Sequence, residues 1–293
     1  MNITKCGVVA IIGKPNAGKS TLLNSIIEKK VSIITHKSQT TRNKIRAIKN
    51  TETAQIIFSD TPGLENMKKS NLNKQLNKTA QQAAVDADVI VFITTTSKWD
   101  ENDQWALDLL KHSSQPVILV INKIDQLKNQ NNILPIIANI NEHYSFTETV
   151  TISALKKHGI ERLVTILEQQ LPQGEPLFDD IDAATNHNLY ICELIREQLL
   201  KNLHQEVPYE LTVQVEKVEE GEKLNKIHAL IWVASESQKK IVIGNKGESM
   251  KNVGTQARRQ LEQHFGKKVF LKLWVKVKPN WWDDPNLINS SKV

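Results

Sequence analysis

A glycine-rich stretch near the start of the chain has the residue types and spacing of a phosphate-binding loop. Gly13, Gly18, Lys19 and Ser20 follow the order G-x-x-x-x-G-K-S, directly after an apolar run and directly before a helical stretch. Glycines let backbone N–H groups turn inward around phosphates, and the helix N-terminus adds partial positive charge. We expect Lys19 to neutralise the β- and γ-phosphates of a nucleotide and the Ser20 hydroxyl to bind Mg²⁺. Thr21 follows in the same site.

The second strand end carries an acidic residue and a glycine that suit the same ligand. Asp60 ends an apolar run and would hold the water shell of the metal, while the Gly63 N–H would face the γ-phosphate. Asp60–Gly63 also has good turn chemistry, so an ordinary turn is the alternative. The neighbouring phosphate loop favours the nucleotide site.

The fourth apolar run ends in residues that would select the base. A carboxylate accepts hydrogen bonds from N1–H and the exocyclic amine of guanine, and adenine lacks this donor pair, so Asp125 would select GTP over ATP. Asn122 would tie this loop to the phosphate loop, and the Lys123 stem would lie along the base. Ser153 and Ala154 would cover the base with backbone N–H groups. A solvated loop is the alternative for Asn122–Asp125.

The elements that must position these residues alternate along the first half of the chain. Helix-length stretches separate the apolar runs, as at 20–30, 72–86 and 102–112. This alternation predicts an α/β domain with a mostly parallel sheet, whose ligands lie at the carboxyl ends of the strands. The predicted strands are 7–12, 56–59, 89–95, 116–121 and 149–152.

Length, charge and cysteine content bound the function classes. A chain of 293 residues predicts two domains. From Gly221 onward there are 14 Lys and Arg against 6 Asp and Glu, so this end is expected to meet a polyanion, with a solvated basic face as the alternative. No apolar run approaches the roughly 18 residues that span a bilayer. We therefore expect a soluble, cytoplasmic protein with no transmembrane segment and with Cys6 and Cys192 as reduced core residues.

The second half has a different order of elements. Residues 171–182 are rich in proline and acid, as in a linker. A helix over 188–203, two alternating strands, a helix that Ser235 and Gln238 would cap, a G-x-x-G loop, a helix over 247–265 and a strand over 269–277 follow. This order resembles a bacterial (type II) K-homology (KH) domain, a smaller α+β fold. The predicted boundaries are 1–172 for the nucleotide-binding domain, 173–182 for the linker and 183–293 for the KH domain with its C-terminal tail.

The G-x-x-G loop is too short to encircle a triphosphate but matches the clamp that KH domains close on about four unpaired nucleotides. Its glycines let phosphates approach the main chain, and the following helix N-terminus attracts them. A plain helical corner is the alternative. The expected RNA-binding residues are Gly244, Asn245, Lys246, Gly247, Lys251, Arg258 and Arg259.

The motifs of the first half resemble those of translational and regulatory GTPases, and the pairing with a KH domain resembles the Era family of bacterial GTPases. The resemblance implies GTP and GDP as ligands, and small-subunit ribosomal RNA and the small ribosomal subunit as partners. It implies that Thr41, with Thr40 as rival, binds Mg²⁺ in the GTP state, and that Asn16 helps to bind K⁺. It also implies weak peripheral association with the inner membrane. The stretch 182–187 departs from the family pattern, which has an arginine there; this affects an expected contact between the domains.

One position limits the predicted mechanism. Small GTPases place a glutamine after the D-x-x-G glycine to orient the attacking water, whereas this chain has Leu64. Hydrolysis should be slow without a cation, a switch segment or a partner, with Lys19 and Thr41 as support for the transition state and metal and no general base assigned. Two alternatives stay open: an RNA-binding module with a poorly hydrolysing GTP scaffold, and a metabolic P-loop kinase with a basic tail.

Overall fold

The structure is a computed structural model. The chain divides into two compact units, Met1–Thr185 and Asn186–Val293. The structure describes residues 3–32, 45–61, 63–64, 71–97, 99–111, 113–127, 129, 133–179, 187–203, 211–284 and 287.

A six-stranded sheet forms the centre of the first unit. Its spatial order is β2-β3-β1-β4-β5-β6, and every pairing except β2 with β3 is parallel. The predicted mostly parallel sheet is therefore confirmed. The strands are β1 Lys5–Ile12, β2 Ile45–Asn50, β3 Ala54–Asp60, β4 Val89–Thr95, β5 Val117–Asn122 and β6 Glu148–Thr151.

Helices connect these strands. Burial of β4 and β5 along their whole length explains why both strands read as continuous apolar runs rather than alternating ones. Successive residues of a strand belong to two different hydrophobic clusters, so apolar side chains pack on both faces of the sheet. The helices are α1 Lys19–Ile27, α2 Asn71–Val85, α3 Glu101–Asp108, α4 Ile133–Asn141 and α5 Ile160–Gln170.

The sequence analysis did not predict β2. This strand pairs antiparallel with β3 through the tight turn at Thr51–Ala54, in which the Thr51 hydroxyl accepts from the Ala54 N–H at 3.0 Å. Its sequence, IRAIKN, mixes charges with apolar residues because it is an edge strand, which sheets commonly protect with charge.

The start of the predicted linker belongs to the first unit. Gln173 bridges Lys5, and the Gly174 N–H donates to the Thr4 carbonyl at 3.0 Å. The fully buried Gln55 amide accepts from the Phe178 N–H at 3.0 Å and donates to its carbonyl at 2.8 Å. Residues 173–179 therefore extend the packed unit beyond the predicted boundary at 172.

The second unit has helices on one face of a three-stranded sheet of order β7-β8-β9. Strand β8 pairs antiparallel with β7 and parallel with β9. The predicted order of elements is confirmed, with a KH-type α-β-β-α-α-β succession. The elements are α6 His187–Asn202, β7 Leu211–Glu219, β8 Leu224–Val233, α7 Glu236–Ile243, α8 Glu248–Phe265 and β9 Lys268–Val277.

The predicted cap of α7 is formed with one difference. The Ser235 hydroxyl accepts from the Gln238 N–H at 3.3 Å, as expected. The Gln238 side chain, however, accepts from the N–H of Ala234 at 2.8 Å rather than from that of Ser235. Both bonds satisfy donors at the helix entrance that would otherwise lack partners.

Among the helices that the structure describes, none combines the length and the apolar character needed to cross a membrane. Cys6 and Cys192 are both buried free thiols. Burial raises the pKa of the Cys192 thiol to about 12, which makes it a core residue and not a nucleophile.

Candidate nucleotide and nucleic-acid sites

The loop between β1 and α1 brings its backbone close to neighbouring groups. Gly18, the N-cap of α1, has a φ of 103°, a conformation that residues with a Cβ rarely adopt. A Cβ there would also lie 2.2 Å from Nδ2 of Asn122. Glycine is thus required twice at this position, for conformation and for space.

Lys19 is held inside this loop. The residue is only 6% exposed, and its Nζ donates to the carbonyls of Gly13 at 3.0 Å and Lys14 at 2.7 Å. Ser20 and Thr21 follow it in the first turn of α1. The ammonium group and the N-terminus of α1 therefore lie together where the motif predicts a nucleotide's phosphates.

An ion-pair cluster that the sequence analysis missed anchors the loop to the next strand end. Lys14 Nζ lies 2.7 Å from Asp100 Oδ2 and 2.6 Å from Asp103 Oδ2. Asp103 is fully buried and also accepts from the Thr94 hydroxyl at 2.8 Å. Burial lowers the pKa of Lys14, but the bonds to Asp100 and Asp103 outweigh it and raise the pKa.

The cluster escaped detection because Lys14 occupies an unspecified position of the motif. The available signal was the spacing of Asp100 and Asp103 after an apolar run. These residues form a capping box at the start of α3, in which Asp100 Oδ1 accepts from the Asp103 N–H at 3.0 Å. A capping aspartate that must also be buried calls for a cationic partner.

Asn122 connects three loops at the carboxyl edge of the sheet. Its Nδ2 donates to the Ala17 carbonyl at 2.9 Å, and its Oδ1 accepts from the N–H groups of Lys123 at 2.7 Å and Ala154 at 3.0 Å. The tie to the phosphate loop is as expected from the sequence. The Ala154 N–H, which we expected to cover the base, instead donates to Asn122 and supports the loop.

Lys123 and Asp125 lie beside this junction. Lys123 has a φ of 64°, and its Nζ donates to the Asn16 carbonyl at 2.7 Å, so its stem crosses to the phosphate loop. Burial and the charge of Lys14 lower the pKa of Lys123, and Asp125 opposes them. The Asp125 carboxylate is exposed, and Oδ1 accepts from the Ser153 hydroxyl at 2.5 Å. That bond fixes the orientation of the group expected to read guanine.

The segment after β3 packs against the phosphate loop. A Cβ on Gly63 would lie 2.9 Å from Pro15 Cα, and the Leu64 N–H donates to the Gly13 carbonyl at 3.2 Å. The Leu64 side chain is 1% exposed and lies in a cluster with Ala80 and Ala83 of α2. Leu64 is therefore a core residue at the position where small GTPases carry glutamine.

Four predicted features fall outside what the structure describes. Thr40 and Thr41 lie in the stretch 33–44, and residues 65–70 belong to the polar stretch 65–73, which the sequence offers as a switch segment or a plain flexible loop. Asp60 ends β3 opposite Ile11 of β1, but its side chain is not among those described. The departure from the family pattern at 182–186 is likewise outside the described residues.

The second candidate site is the loop between α7 and α8. Gly244 has φ 74° and ψ 177°, Lys246 has φ 49° and Gly247 has φ 81°. A single turn results, closed by the Gly247 N–H on the Gly244 carbonyl at 3.2 Å. Gly247 is the N-cap of the 18-residue α8, and no side chain caps this end. Its N-terminal N–H groups can meet an anion.

The expected basic residues continue from this loop along α8. Lys251, Arg258 and Arg259 are exposed. At about 100° per residue, Lys251 and Arg258 share one face of the helix two turns apart, whereas Arg259 lies to the side. The opposite face carries Val253, Ala257 and Leu261, all fully buried. The basic residues are thus on the solvent face, in line with the loop.

Comparisons with known proteins match a different family to each of the two units. The family model of the 50S ribosome-binding GTPases matches residues 8–123, and that of the KH domain matches residues 206–282. The chain is 42% identical to GTPase Era of Xylella fastidiosa (strain M12), over 94% of this chain and 93% of that one. It is 43% identical to GTPase Era of Coxiella burnetii (strain RSA 331 / Henzerling II), over 98% of both chains.

Two solved structures are similar over nearly the whole chain. One is a variant of Aquifex aeolicus Era bound to GDP and AlF4−, with 40% identity, a TM-score of 0.92 and coverage of 98% of this chain and 99% of that one. The other is Era in complex with MgGDPNP and nucleotides 1506–1542 of 16S ribosomal RNA, with 40% identity, a TM-score of 0.92 and coverage of 99% of both chains.

The phosphate loop, the strand end expected to read guanine and the G-x-x-G unit fit a P-loop GTPase joined to a KH domain, and both family models match accordingly. The chain belongs to the Era family of GTPases. The resemblance inferred from the sequence is thereby confirmed.

Proposed function

We propose that the protein is a GTP-hydrolysing molecular switch that binds the three-prime region of small-subunit ribosomal RNA during ribosome maturation. The observation that carries the proposal is that the chain has two glycine loops of different size, each of which leads into the N-terminus of a helix. The loop at Gly13–Ser20 suits a triphosphate, and the turn at Gly244–Gly247 suits a nucleic-acid strand. The solved Era complex with MgGDPNP and 16S ribosomal RNA supports both halves.

The nucleotide site is proposed at the carboxyl edge of the six-stranded sheet. Lys19 would neutralise phosphates, Asn122 would keep three loops in register, and Asp125 would accept from guanine. The proposed nucleotide-binding residues are Gly13, Asn16, Gly18, Lys19, Ser20, Thr21, Asp60, Gly63, Asn122, Lys123, Asp125, Ser153 and Ala154.

Mg²⁺ is the proposed metal. Its metal-site residues would be Ser20 and, in the GTP state, Thr41 as direct oxygen ligands, with Asp60 holding the water shell, a set that suits a hard cation which keeps several waters and binds substrate phosphates. The described residues contain no group of three or more His, Cys, Asp or Glu side chains that could hold a metal. The phosphates of the nucleotide would therefore complete the coordination. The exposed Asn16, whose φ is 60°, is the proposed K⁺ contact.

The proposed contribution to hydrolysis is electrostatic. Lys19 and Thr41 would support the transition state and the metal, and a cation at Asn16 would add positive charge. Leu64 is buried among apolar side chains, so it cannot orient water. The water-positioning group is therefore assigned to no side chain of the described residues.

The proposed RNA site comprises Gly244, Asn245, Lys246, Gly247, Lys251, Arg258 and Arg259. The proposed partner is the small ribosomal subunit, and the proposed location is therefore the cytoplasm. Weak peripheral association with the inner membrane stays a prediction from the family resemblance.

Crosslinking the protein to total cellular RNA tests the RNA partner. We expect reads clustered at the three-prime end of the small-subunit RNA; scattered reads would contradict that target.

Direct coupling between the bound nucleotide and RNA binding is tested by RNA affinity with GDP and with a non-hydrolysable GTP analogue. Coupling requires a free-energy difference between the two states, so identical affinities would overturn it.

Guanine selection is tested by Asp125→Asn. We expect this variant to prefer xanthosine triphosphate over GTP, because the amide donor complements the carbonyl at position 2 of xanthine. An unchanged preference would contradict the assignment. ATP use with transfer to a small acceptor would favour a metabolic kinase instead.

A second candidate function is RNA binding on a GTP scaffold of little turnover. The burial of Leu64 favours it, since the usual water-orienting side chain is missing. Steady-state GTP hydrolysis that stays at background with K⁺ and RNA present would support the scaffold. Hydrolysis stimulated by K⁺ or RNA would support the switch.

A further inference from the structure

The side of the KH sheet that faces away from the helices combines aromatic rings with lysines. Alternate residues of β8 and β9, such as Ile227, Ile231 and Val269, are buried in the cluster with α6 and α8. Their neighbours in sequence therefore lie on the opposite side. We call this surface the outer sheet face; its residues on these two strands include Lys226, His228, Trp232, Phe270, Lys272, Trp274 and Lys276.

The rings of the outer sheet face are accessible and spread along it. Phe270 is 50% exposed, and Trp232 and Trp274 are partly exposed. Phe270 and Trp274 are four residues apart on β9, which is about 13 Å along a strand. Trp232 of β8 pairs in register with Lys276, two residues beyond Trp274. A chain molecule that follows β9 would thus meet rings at intervals.

The charge of the outer sheet face is positive. Lys272 Nζ lies 4.6 Å from the Trp274 ring centre, and Lys276 Nζ lies 5.7 Å from the Trp232 ring centre. The carboxylate of Glu219, at the β7 edge, is paired with Lys217 at 2.5 Å. Lys272 and Lys276 are exposed on the edge strand opposite to β7.

We propose that the outer sheet face binds single-stranded RNA, with bases stacked on Phe270, Trp274 and Trp232 and phosphates on Lys272 and Lys276. Base stacking on aromatic side chains tolerates any sequence, and lysines neutralise the backbone. The surface is separate from the Gly244–Gly247 turn, because α7 and α8 pack on the other face of the sheet. The inference goes beyond the proposed function by adding a second RNA surface to the KH unit.

Two physical points favour RNA over a protein partner. Protein interfaces are depleted of lysine at their centre, whereas here lysines alternate with the rings. An exposed cation–π contact is weaker than base–aromatic stacking, so an incoming base can displace the ammonium group from the ring. The displaced ammonium group is then available to a phosphate.

The test is the affinity of the full chain for single-stranded RNA of 4 and of 16 nucleotides, measured by fluorescence anisotropy. We expect Phe270→Ala to weaken binding of the longer RNA about tenfold and to leave the shorter one unchanged. Lys272→Ala with Lys276→Ala should lower the salt slope of log K by about 1.4. The charge-matched control is Lys29→Ala with Lys111→Ala, two exposed lysines of the first unit.

Crosslinking of the unaltered protein decides the matter even where a variant folds poorly. RNA that carries 4-thiouridine should crosslink to the β9 peptide as well as to the peptide that contains Gly244–Gly247. Trp274→Phe, which keeps a stacking ring, should retain the affinity and lose part of the tryptophan quenching on RNA addition. Circular dichroism verifies the fold of each variant.

Asn245→Asp with Lys246→Asp separates this inference from the proposed function. If the turn variant abolishes all binding and the outer-face variants change the affinity for the longer RNA by less than twofold, with no crosslink on β9, the inference is overturned while the proposed function stands. Retained RNA affinity together with lost docking on the protein part of the ribosomal subunit would also overturn it, in favour of a protein partner.

Discussion

Lys14 of the phosphate loop and Asp103 of α3 form an ion pair with 2.6 Å between Nζ and Oδ2, and their side chains are 11% and 1% exposed. Removal of Asp103 leaves the largely buried Lys14 ammonium group with Asp100 as its remaining carboxylate and takes the acceptor from the Thr94 hydroxyl, which should cost about 2–3 kcal/mol. We expect Asp103→Ala to lower the free energy of unfolding by that amount, measured from urea-dependent hydrogen exchange of β1 and β4 amides.

The control is Asp108→Ala, which removes an exposed ion pair with Lys111. It should cost less than about 1 kcal/mol. Adding Lys14→Met to Asp103→Ala should restore part of the lost stability, because it removes a largely buried ammonium group that has lost one of its two carboxylates. Equal costs for Asp103→Ala and Asp108→Ala would contradict the structural role of the buried pair.

The same cluster predicts a response to acid. Burial raises the pKa of Asp100, but hydrogen bonds from Lys14 and from the N–H groups of Asp103 and Asn102 outweigh it and hold the pKa below its ordinary 3.8. A group with a lowered folded pKa stabilises the fold above its ordinary pKa, and this contribution is lost as pH falls through the folded value. We expect Asp100→Asn to flatten the fall in unfolding free energy below about pH 4. If the unfolding free energies of Asp100→Asn and of the unaltered protein fall in parallel with pH, Asp100 makes no such contribution.

Asn122 should control nucleotide affinity without contacting the phosphates. Asn122→Ala would leave the Ala17 carbonyl and the Ala154 N–H without their partner, at about 1–3 kcal/mol each. We expect the affinity for a fluorescent GDP analogue to fall about 10- to 100-fold, mainly through faster dissociation, as the loops separate. Asn139→Ala, on an exposed position of α4, is the matched control and should leave affinity unchanged.

Leu64→Gln should not restore the water-orienting group of small GTPases. The side chain is 1% exposed among alanines, so the amide would be buried without a designed partner at a cost of about 1–3 kcal/mol. We expect a lower melting temperature and no gain in GTP turnover, with Leu64→Met nearly neutral in both measurements. Faster hydrolysis by the glutamine variant would show that the segment opens during the reaction.

The two glycines of the G-x-x-G turn should differ in their tolerance of a side chain. A Cβ on Gly244 would lie 2.7 Å from Ser249 Cβ, in a backbone region almost confined to glycine, whereas a Cβ on Gly247 would meet nothing within 4 Å. We expect Gly247→Ala to cost about 1 kcal/mol and Gly247→Asn less, since asparagine tolerates this conformation. Gly244→Ala should cost more. Thermal unfolding of the three variants checks the order.

Sequence patterns predicted the parts of the site that are local in the chain. Gly18, Lys19 and Asn122 follow from motif spacing and strand ends, because close packing of phosphate and backbone permits few residue types. The Lys14–Asp103 pair and the Ala154–Asn122 bond join segments separated along the chain by 89 and 32 residues, so no local pattern encodes them. Strand β2 was missed because an edge strand with a polar side lacks the continuous apolar run of its buried neighbours.

The buried amide of Gln55 determines where the first unit could be severed from the rest of the protein. Its oxygen accepts hydrogen bonds from the N–H groups of Leu177 and Phe178, and the Phe178 side chain packs against Cys6, Ile48 and Ile57. A cut at residue 172 would strand a polar group inside the fold and expose an apolar edge, which invites aggregation. A stable separate GTPase unit, whether it arises by gene fusion or by proteolysis, therefore requires the chain to continue through Phe178.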